Sequence, residues 1–304
     1  MSEAPEAPEA PDEPHPITAV CISAGGSKGF SALGALQCLI DHHQMDFANV
    51  KFMSGTSIGS AICFFLSIGY KPVELMIELC TNNWMQGFVW RPWNDMLASE
   101  SIYDTEGMMT RWEEMTFSKM KMLPTMQSHF ESTGIELVIC VYNYTKRQVE
   151  YIRHETHPEV PCLQALKMSS TLPFLFAPTL WNEHEYIDGA FADDFPIEQI
   201  PYRTHRTLGI YLDDLACTKD ATHRILKWVQ KVFSLMSIPM ITLHQHRLER
   251  LKNLTNLHLL SLRIADTPIY QLDLRKDQQL DLFSNGYHQA KDALDDFAFK
   301  AQTA

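Results

Sequence analysis

Val50-Lys51-Phe52-Met53-Ser54-Gly55-Thr56-Ser57-Ile58-Gly59-Ser60-Ala61 decides the reading of this chain. An apolar run ends at Gly55, a serine follows between two glycines, and a helical pattern starts at once. The spacing is G-x-S-x-G at a strand-to-helix turn. A serine nucleophile must stand at the tip of a sharp turn. Glycines at 55 and 59 remove side chains that would clash with the tight backbone and the neighbouring helix. The serine then sits at a helix N-terminus, where free N–H groups and the helix dipole favour developing negative charge. A plain tight turn with a capping serine has the same local sequence, so other stretches must separate the two readings.

Upstream, Ile17–Ser23 is a continuous apolar run with β-branched residues, as expected of a buried parallel strand. Ala24-Gly25-Gly26-Ser27-Lys28-Gly29 follows, and then a helical pattern over Phe30–His43 with Leu33, Leu36, Leu39 and Ile40 on one face. Strand, glycine-rich loop and helix form an anion-binding arrangement. The loop does not match a P-loop, because Lys28 precedes Gly29, and it does not match a dinucleotide fingerprint. An oxyanion hole needs only two or three aimed N–H groups and fits; an ordinary βα turn also fits.

Downstream, Gly69 stops the serine helix and Pro72 starts another, to about residue 82. Trp84–Met126 holds four of the six tryptophans and eight of the fifteen methionines. Such residues suit either a pliable core insertion or a rim at a water–lipid boundary, with Trp90 and Trp93 in a proline-broken loop. Pro124–Thr133 predicts a short helix stopped at Gly134. Ile135–Tyr144 predicts a strand with Gln148–Ile152 as its hairpin partner, and Pro161–Ser169 a helix. Ser170–Pro178 reads as irregular. Leu180–Ile187 reads as a strand or hairpin around Asn182-Glu183 that delivers the chain to Asp188-Gly189-Ala190. Leu208–Leu212 and Asn256–Ile264 read as strands, Ala221–Asn253 as helical with a break at Pro239, and Leu280–Phe299 as a C-terminal helix. Strands alternate with helices, which predicts an α/β fold: a three-layer sandwich around a central, mostly parallel sheet.

The organisation expected is a disordered acidic, Pro-rich tail over 1–16, a catalytic core over 17–213, and a helical part with one strand over 214–304 packed on the same domain. Five acids and no Lys or Arg lie in that tail, out of a formal net charge of −12. An acidic body gives no footprint for nucleic acid, and it disfavours simple charge-driven adhesion to anionic membranes. Seven cysteines without a CxxC pair read as reduced thiols packed as small hydrophobes. No basic-then-apolar leader is visible at the N-terminus and no apolar run is long enough to span a bilayer. A cytoplasmic protein follows as the expectation.

A serine at such a turn needs a base. An α/β-hydrolase triad would draw it from His205, His223, His244, His246, His258 or His288, none of which sits in a recognisable loop after a strand. A Ser–Asp dyad would use Asp188, which follows a strand, with Gly189 and Ala190 leaving room for close approach. A partly desolvated carboxylate can accept the serine proton because its pKa rises from about 3.9. An Asx turn before glycine is the structural alternative for Asp188.

These motifs, in this order, resemble the patatin-like phospholipase family, which combines GGGx[RK]G, GxSxG and DG[GA]. Gly69-Tyr70-Lys71-Pro72, Ser170–Pro178 and Asp194-Phe195-Pro196 resemble it too, so the likeness runs over roughly Ile17–Leu212. One departure is Ala24 at the first loop glycine, which would be strained if that position needed φ > 0. The resemblance implies a carboxylic ester hydrolase acting on acyl esters of lipids, glycerophospholipids above all. Ser57 is then the nucleophile and Asp188 its base. Gly25, Gly26, Ser27 and Lys28 form the oxyanion loop, with Gly29, Gly55, Gly59 and Gly189 in support. Lys28 would orient the loop or attract a phosphate head group, although a loop lysine is more often solvated. The reaction implied needs no metal and no organic cofactor. The implied partner is the lipid substrate, which allows peripheral contact with a membrane or micelle; oligomeric state is left open. Two rivals stay in play: an esterase with a His base, and a catalytically silent lipid-binding protein of the same fold.

Overall fold

Buried apolar runs make parallel strands here, and the first two hand over to helices through glycine-bearing turns. The structure is a computed structural model. It describes residues 16–81, 95–96, 101–201, 204–214, 227–228, 231–232, 234–235, 246–251, 254, 256–264 and 274–295. β1 (Ala19–Ile22) leads through the glycine-rich loop to α1 (Gly29–Asp41), and β2 (Phe52–Thr56) leads through Ser57 to α2 (Ile58–Ser67). α3 (Pro72–Thr81), β3 (Ser101–Tyr103), α4 (Glu106–Met120) and α5 (Met126–Thr133) follow. Then come β4 (Glu136–Asn143), β5 (Gln148–Ile152), α6 (Cys162–Ser170) and β6 (Phe174–Phe176). The chain closes with β7 (Thr179–Trp181), β8 (His184–Asp188), β9 (Thr207–Asp214), β10 (Leu257–Ile264) and α7 (Lys276–Asp292).

The main sheet has the order β10-β9-β1-β2-β4-β8-β7, with β5 pairing β4. The β10–β9, β9–β1, β1–β2 and β2–β4 pairs are parallel, and those of β4 with β5 and β8 are antiparallel. This is the mixed α/β architecture with a mostly parallel central sheet that the alternation predicts. Side chains alternate between two faces, as strand geometry requires. Val20, Ile22, Met53, Leu137, Ile139, Leu208 and Ile210 join α1 and α2 in the larger core. Ala19, Cys21, Phe52 and Val138 point the other way, onto Phe195, Ile197 and Leu251. α1 and α7 pack backbone to backbone. A Cβ on Gly34 would stand 1.9 Å from the Phe283 carbonyl oxygen, and one on Gly286 1.9 Å from that of Ser31.

Most expected elements are present within a few residues of their expected ends. The hairpin at Asn182-Glu183 forms with both residues at positive φ, and Gly134 caps α5 at φ 67°. Two expectations need correction. The stretch 170–178 is not irregular throughout, because β6 pairs in parallel with β3; a three-residue strand has too short a pattern to read. The C-terminal helix begins at Lys276, four residues early, because Asp277 and Gln278 serve its first turn rather than its apolar face. Within the Trp/Met-rich stretch, α4 buries Met108, Trp112 and Met115 at helical spacing in the main core. Trp84, Trp90 and Trp93 lie outside the described residues, as do Cys217 and residues 1–15. Cys21, Cys38, Cys63, Cys140 and Cys162 are buried free thiols. No single helix among the described residues is long and apolar enough to cross a membrane.

Candidate active site

Ser57 stands between β2 and α2 with φ 55° and ψ −127°. A non-glycine residue held there costs of order 1–3 kcal/mol and persists only where its surroundings over-determine it. Those surroundings are visible. The Ser57 N–H donates to Ser169 Oγ at 2.9 Å, and Ser169 Oγ–H donates to the Cys140 carbonyl at 2.7 Å. The Ser57 carbonyl accepts from the Ser60 hydroxyl at 2.6 Å and from the Ser60 amide at 3.0 Å. Both flanking glycines are required by contact. A Cβ on Gly59 would lie 2.2 Å from the Ile22 carbonyl oxygen, and one on Gly55 2.6 Å from the Gly59 carbonyl carbon. Ser169 and Cys140 carry no motif, so sequence reasoning missed them; their role is set by which elements meet.

Sheet register brings Asp188 to this turn. On one edge of β4, β2 pairs up to Thr56 opposite Cys140, while β8 pairs with Asp188 opposite Val141. β5 occupies the other edge over Ile139–Asn143. β2 and β8 therefore run head to head along the same edge of β4, and Ser57 and Asp188 are the residues at which they meet. Asp188 N–H donates to the Thr171 carbonyl at 2.9 Å, and its Oδ1 accepts from the Ala190 amide at 2.8 Å. Oδ2 is buried and makes no hydrogen bond of ordinary geometry. Burial pushes the carboxyl from 3.8 up to about 7, against the pull of the Ser57 hydroxyl and the Ala190 amide. The Ser57 hydroxyl is thus near enough to stabilise the carboxylate without being aligned on Oδ2. A Cβ on Gly189 would strike the Cys140 carbonyl oxygen at 2.5 Å, which explains glycine after the aspartate.

The glycine-rich loop lies beside the same turn, since a Cβ on Gly29 would stand 2.5 Å from Ile58 Cγ1. Gly25 is extended, and a Cβ there would meet Leu212 Cδ1 at 2.5 Å. Gly26 has φ 55°, the left-handed region that suits glycine. Residues Gly26–Lys28 form one 3₁₀ turn, with Lys28 N–H donating to the Gly25 carbonyl at 3.1 Å. The first amides of such a turn have no carbonyl behind them to bond. Ala24 is not among the residues at positive φ, so its methyl is unstrained, and its amide donates to the Asp194 carbonyl at 2.8 Å. Lys28 is a correction: it is 1% exposed, not solvated. Its side chain is packed in the interior although the residue ends the 3₁₀ turn.

The candidate histidines are elsewhere. His205 precedes β9 and contacts the Thr18 hydroxyl at 3.0 Å; His258 pairs in register with Leu208 and accepts from Arg206 Nε at 3.0 Å. Both are at the N-terminal ends of the parallel strands, opposite Ser57. His246 is exposed and His288 lies on α7; His223 and His244 fall outside the described residues. Among the described residues no histidine is hydrogen-bonded to Ser57 or Asp188, and no three His, Cys, Asp or Glu side chains converge as a metal site.

A family model for patatin-like phospholipases matches residues 20–200 of the chain. The chain belongs to the patatin-like phospholipase family. The match contains the glycine-rich loop, Ser57 and Asp188, and ends before β9. Two viral proteins are similar. One, of invertebrate iridescent virus 6, is named "Probable lipid hydrolase 463L"; it is 32% identical over 180 residues, 58% of this chain and 61% of its own length. The other is "Uncharacterized protein R571" of Acanthamoeba polyphaga mimivirus, 27% identical over 197 residues, 64% of this chain and 65% of its own. The chain thus spans less than two thirds of either relative. Among solved structures, VipD from Legionella pneumophila superposes with a TM-score of 0.54 at 16% identity, covering 93% of this chain and 68% of that one. It shares the fold.

Proposed function

We propose that this patatin-like protein is a lipid acyl hydrolase of phospholipase A type, cleaving acyl esters of glycerophospholipids through a Ser57–Asp188 dyad. The observation that carries the reading is the head-to-head meeting of β2 and β8, which sets a strained serine against a buried carboxylate whose Oδ2 makes no hydrogen bond of ordinary geometry. A carboxyl held near 7 is half ionised at neutral pH, the condition under which one group can both take and return a proton. Ser57 Oγ attacks the ester carbonyl and its proton passes to Asp188. The amides of the Gly25–Lys28 loop receive the oxyanion, with the buried Lys28 stem bracing that loop. Collapse releases the alcohol, which takes the proton from Asp188 and leaves acyl-Ser57. Water, deprotonated by Asp188, then frees the fatty acid.

A fluorophosphonate probe, which reacts quickly only with an activated serine, tests the nucleophile. Wild type should label; Ser57→Ala should neither label nor turn over a short acyl ester, a loss of up to about 10⁶-fold in kcat. Asp188→Asn should be nearly as damaging, and no single His substitution should be. Ser57→Ala activity within about tenfold of wild type, or a His→Ala variant losing about 10³-fold while Asp188→Asn keeps its activity, would refute the dyad. Mixed micelles of phospholipid or triacylglycerol then settle the lipid class.

A further inference from the structure

We infer that Asp193, clamped by Arg247 and Tyr151, is a positioning residue that fixes the three segments of the candidate site against one another. The inference rests on the dyad reading above. Asp193 lies five residues past Asp188, and its backbone together with that of Asp194 connects all three motifs. Its N–H donates to the carbonyl of Gly189, next to Asp188, at 2.9 Å. Its carbonyl accepts from the hydroxyl of Thr56, next to Ser57, at 2.9 Å. The adjoining Asp194 carbonyl accepts from the amide of Ala24, next to Gly25, at 2.8 Å. The Pro196 carbonyl accepts from Ser54 Oγ of β2 at 3.1 Å. Three of these bonds reach a residue next to a reacting or oxyanion residue, the fourth holds β2 at Ser54, and none reaches a reacting residue itself.

The Asp193 side chain fastens this junction. Oδ1 accepts from Arg247 Nη1 at 2.5 Å and from the Phe195 amide at 3.2 Å, and Oδ2 accepts from the Tyr151 hydroxyl at 2.8 Å. Arg247 Nη1 also donates to the Phe195 carbonyl at 3.2 Å, while Arg247 Nε is 3.9 Å from Glu198. The Asp193 side chain is 6% exposed and that of Arg247 20%. A buried carboxylate is costly unless paired and fully hydrogen-bonded, so this one holds its partners in a single arrangement. Tyr151 comes from β5, and Arg247 from the helical stretch 246–251, beyond the residues that the family model matches. The C-terminal part of the chain thereby reaches the site. Asp193 is not among the groups that shift Asp188, whose carboxyl answers to burial, Ser57 and Ala190. The clamp acts on the backbone positions of the site segments.

The test uses the full chain with Arg247→Met, Arg247→Lys, Asp193→Asn, Tyr151→Phe and the Arg247→Met/Asp193→Asn double variant. The readouts are fluorophosphonate labelling rate per folded molecule, kcat and KM on a soluble short-chain ester, and melting temperature. Misplacing reacting groups by about 1 Å costs on the order of 10²-fold. Arg247→Met should therefore lower labelling and kcat by about that factor with KM little changed, and Arg247→Lys should recover part of the loss. The midpoint of the pH–rate profile should not move. The double variant should be no worse than the poorer single one, as coupled residues require. If Arg247→Met does not fold, Tyr151→Phe and Arg247→Lys carry the test, each with a smaller fall of the same kind. Folded variants that label at the wild-type rate, whatever their melting temperature, would overturn the inference, and so would a shifted pH midpoint. Failure of the dyad reading looks different: wild type itself would not label, or Ser57→Ala would label as fast.

Discussion

Asp188→Asn should make this protein more stable while it removes activity. Burial raises the Asp188 carboxyl from 3.8 to about 7. Between those values the native chain holds a proton that the unfolded chain has released, so wild type loses stability as pH rises from about 4 to about 7. At 1.36 kcal/mol for each tenfold displacement, the cost above neutrality is roughly 4 kcal/mol. Asparagine never ionises. Its Oδ1 can keep the 2.8 Å bond from the Ala190 amide, and its NH₂ group takes the place of the buried Oδ2 beside Ser57. The variant should match wild type near about pH 4 and exceed it by about 2–4 kcal/mol near about pH 8. Urea unfolding followed by tryptophan fluorescence at both pH values, with m-values compared, measures the difference. In parallel, wild-type labelling by a fluorophosphonate should rise with pH around a midpoint of about 7, where the base becomes ionised. An Asn variant less stable than wild type near about pH 8, or a difference independent of pH, would refute the claim that burial of this carboxylate is the strained feature of the site.

Gly59→Ala puts a methyl 2.2 Å from the Ile22 carbonyl oxygen, where only backbone can move; it should cost about 3 kcal/mol or more and be read as lost soluble yield or a fallen melting temperature. His129 is fully buried on Ser67 Oγ at 2.7 Å, and burial, aided by His154, lowers it from 6.5 to about 4. The unfolded chain takes up a proton that the native chain refuses, so stability is lost as pH falls from about 6.5 to about 4, by roughly 3 kcal/mol; His129→Gln should flatten this limb in pH-dependent unfolding. Arg147 occupies the exposed β4–β5 turn at φ 55°. Arg147→Gly should stabilise by about 0.5–1 kcal/mol, the left-handed penalty less the entropy of glycine, measurable as a higher urea midpoint.

The sequence by itself determined the elements that local chemistry dictates. An apolar run closed by glycine can only be a buried strand with a sharp exit, so β1, β2 and their following helices were legible, as were Gly134 as a cap and Asn182-Glu183 as a hairpin turn. The order of the three motifs was also legible, because each is a short local pattern, although the contacts that require Gly25, Gly29, Gly59 and Gly189 are made by distant segments. Tertiary structure decided what depends on where segments meet. That β2 and β8 share one edge of β4 is a matter of register, which no single stretch encodes. Lys28 read as a loop lysine and is buried, a fact set by what packs around the loop and not by its own stretch. Ser169, Tyr151, Asp193 and Arg247 belong to no motif, and each draws its role from a partner between 29 and 112 positions away. Hydrogen bonds between distant segments form only once the strands have chosen their neighbours. The physical pattern that would have marked these residues therefore exists in space and has no period along the chain.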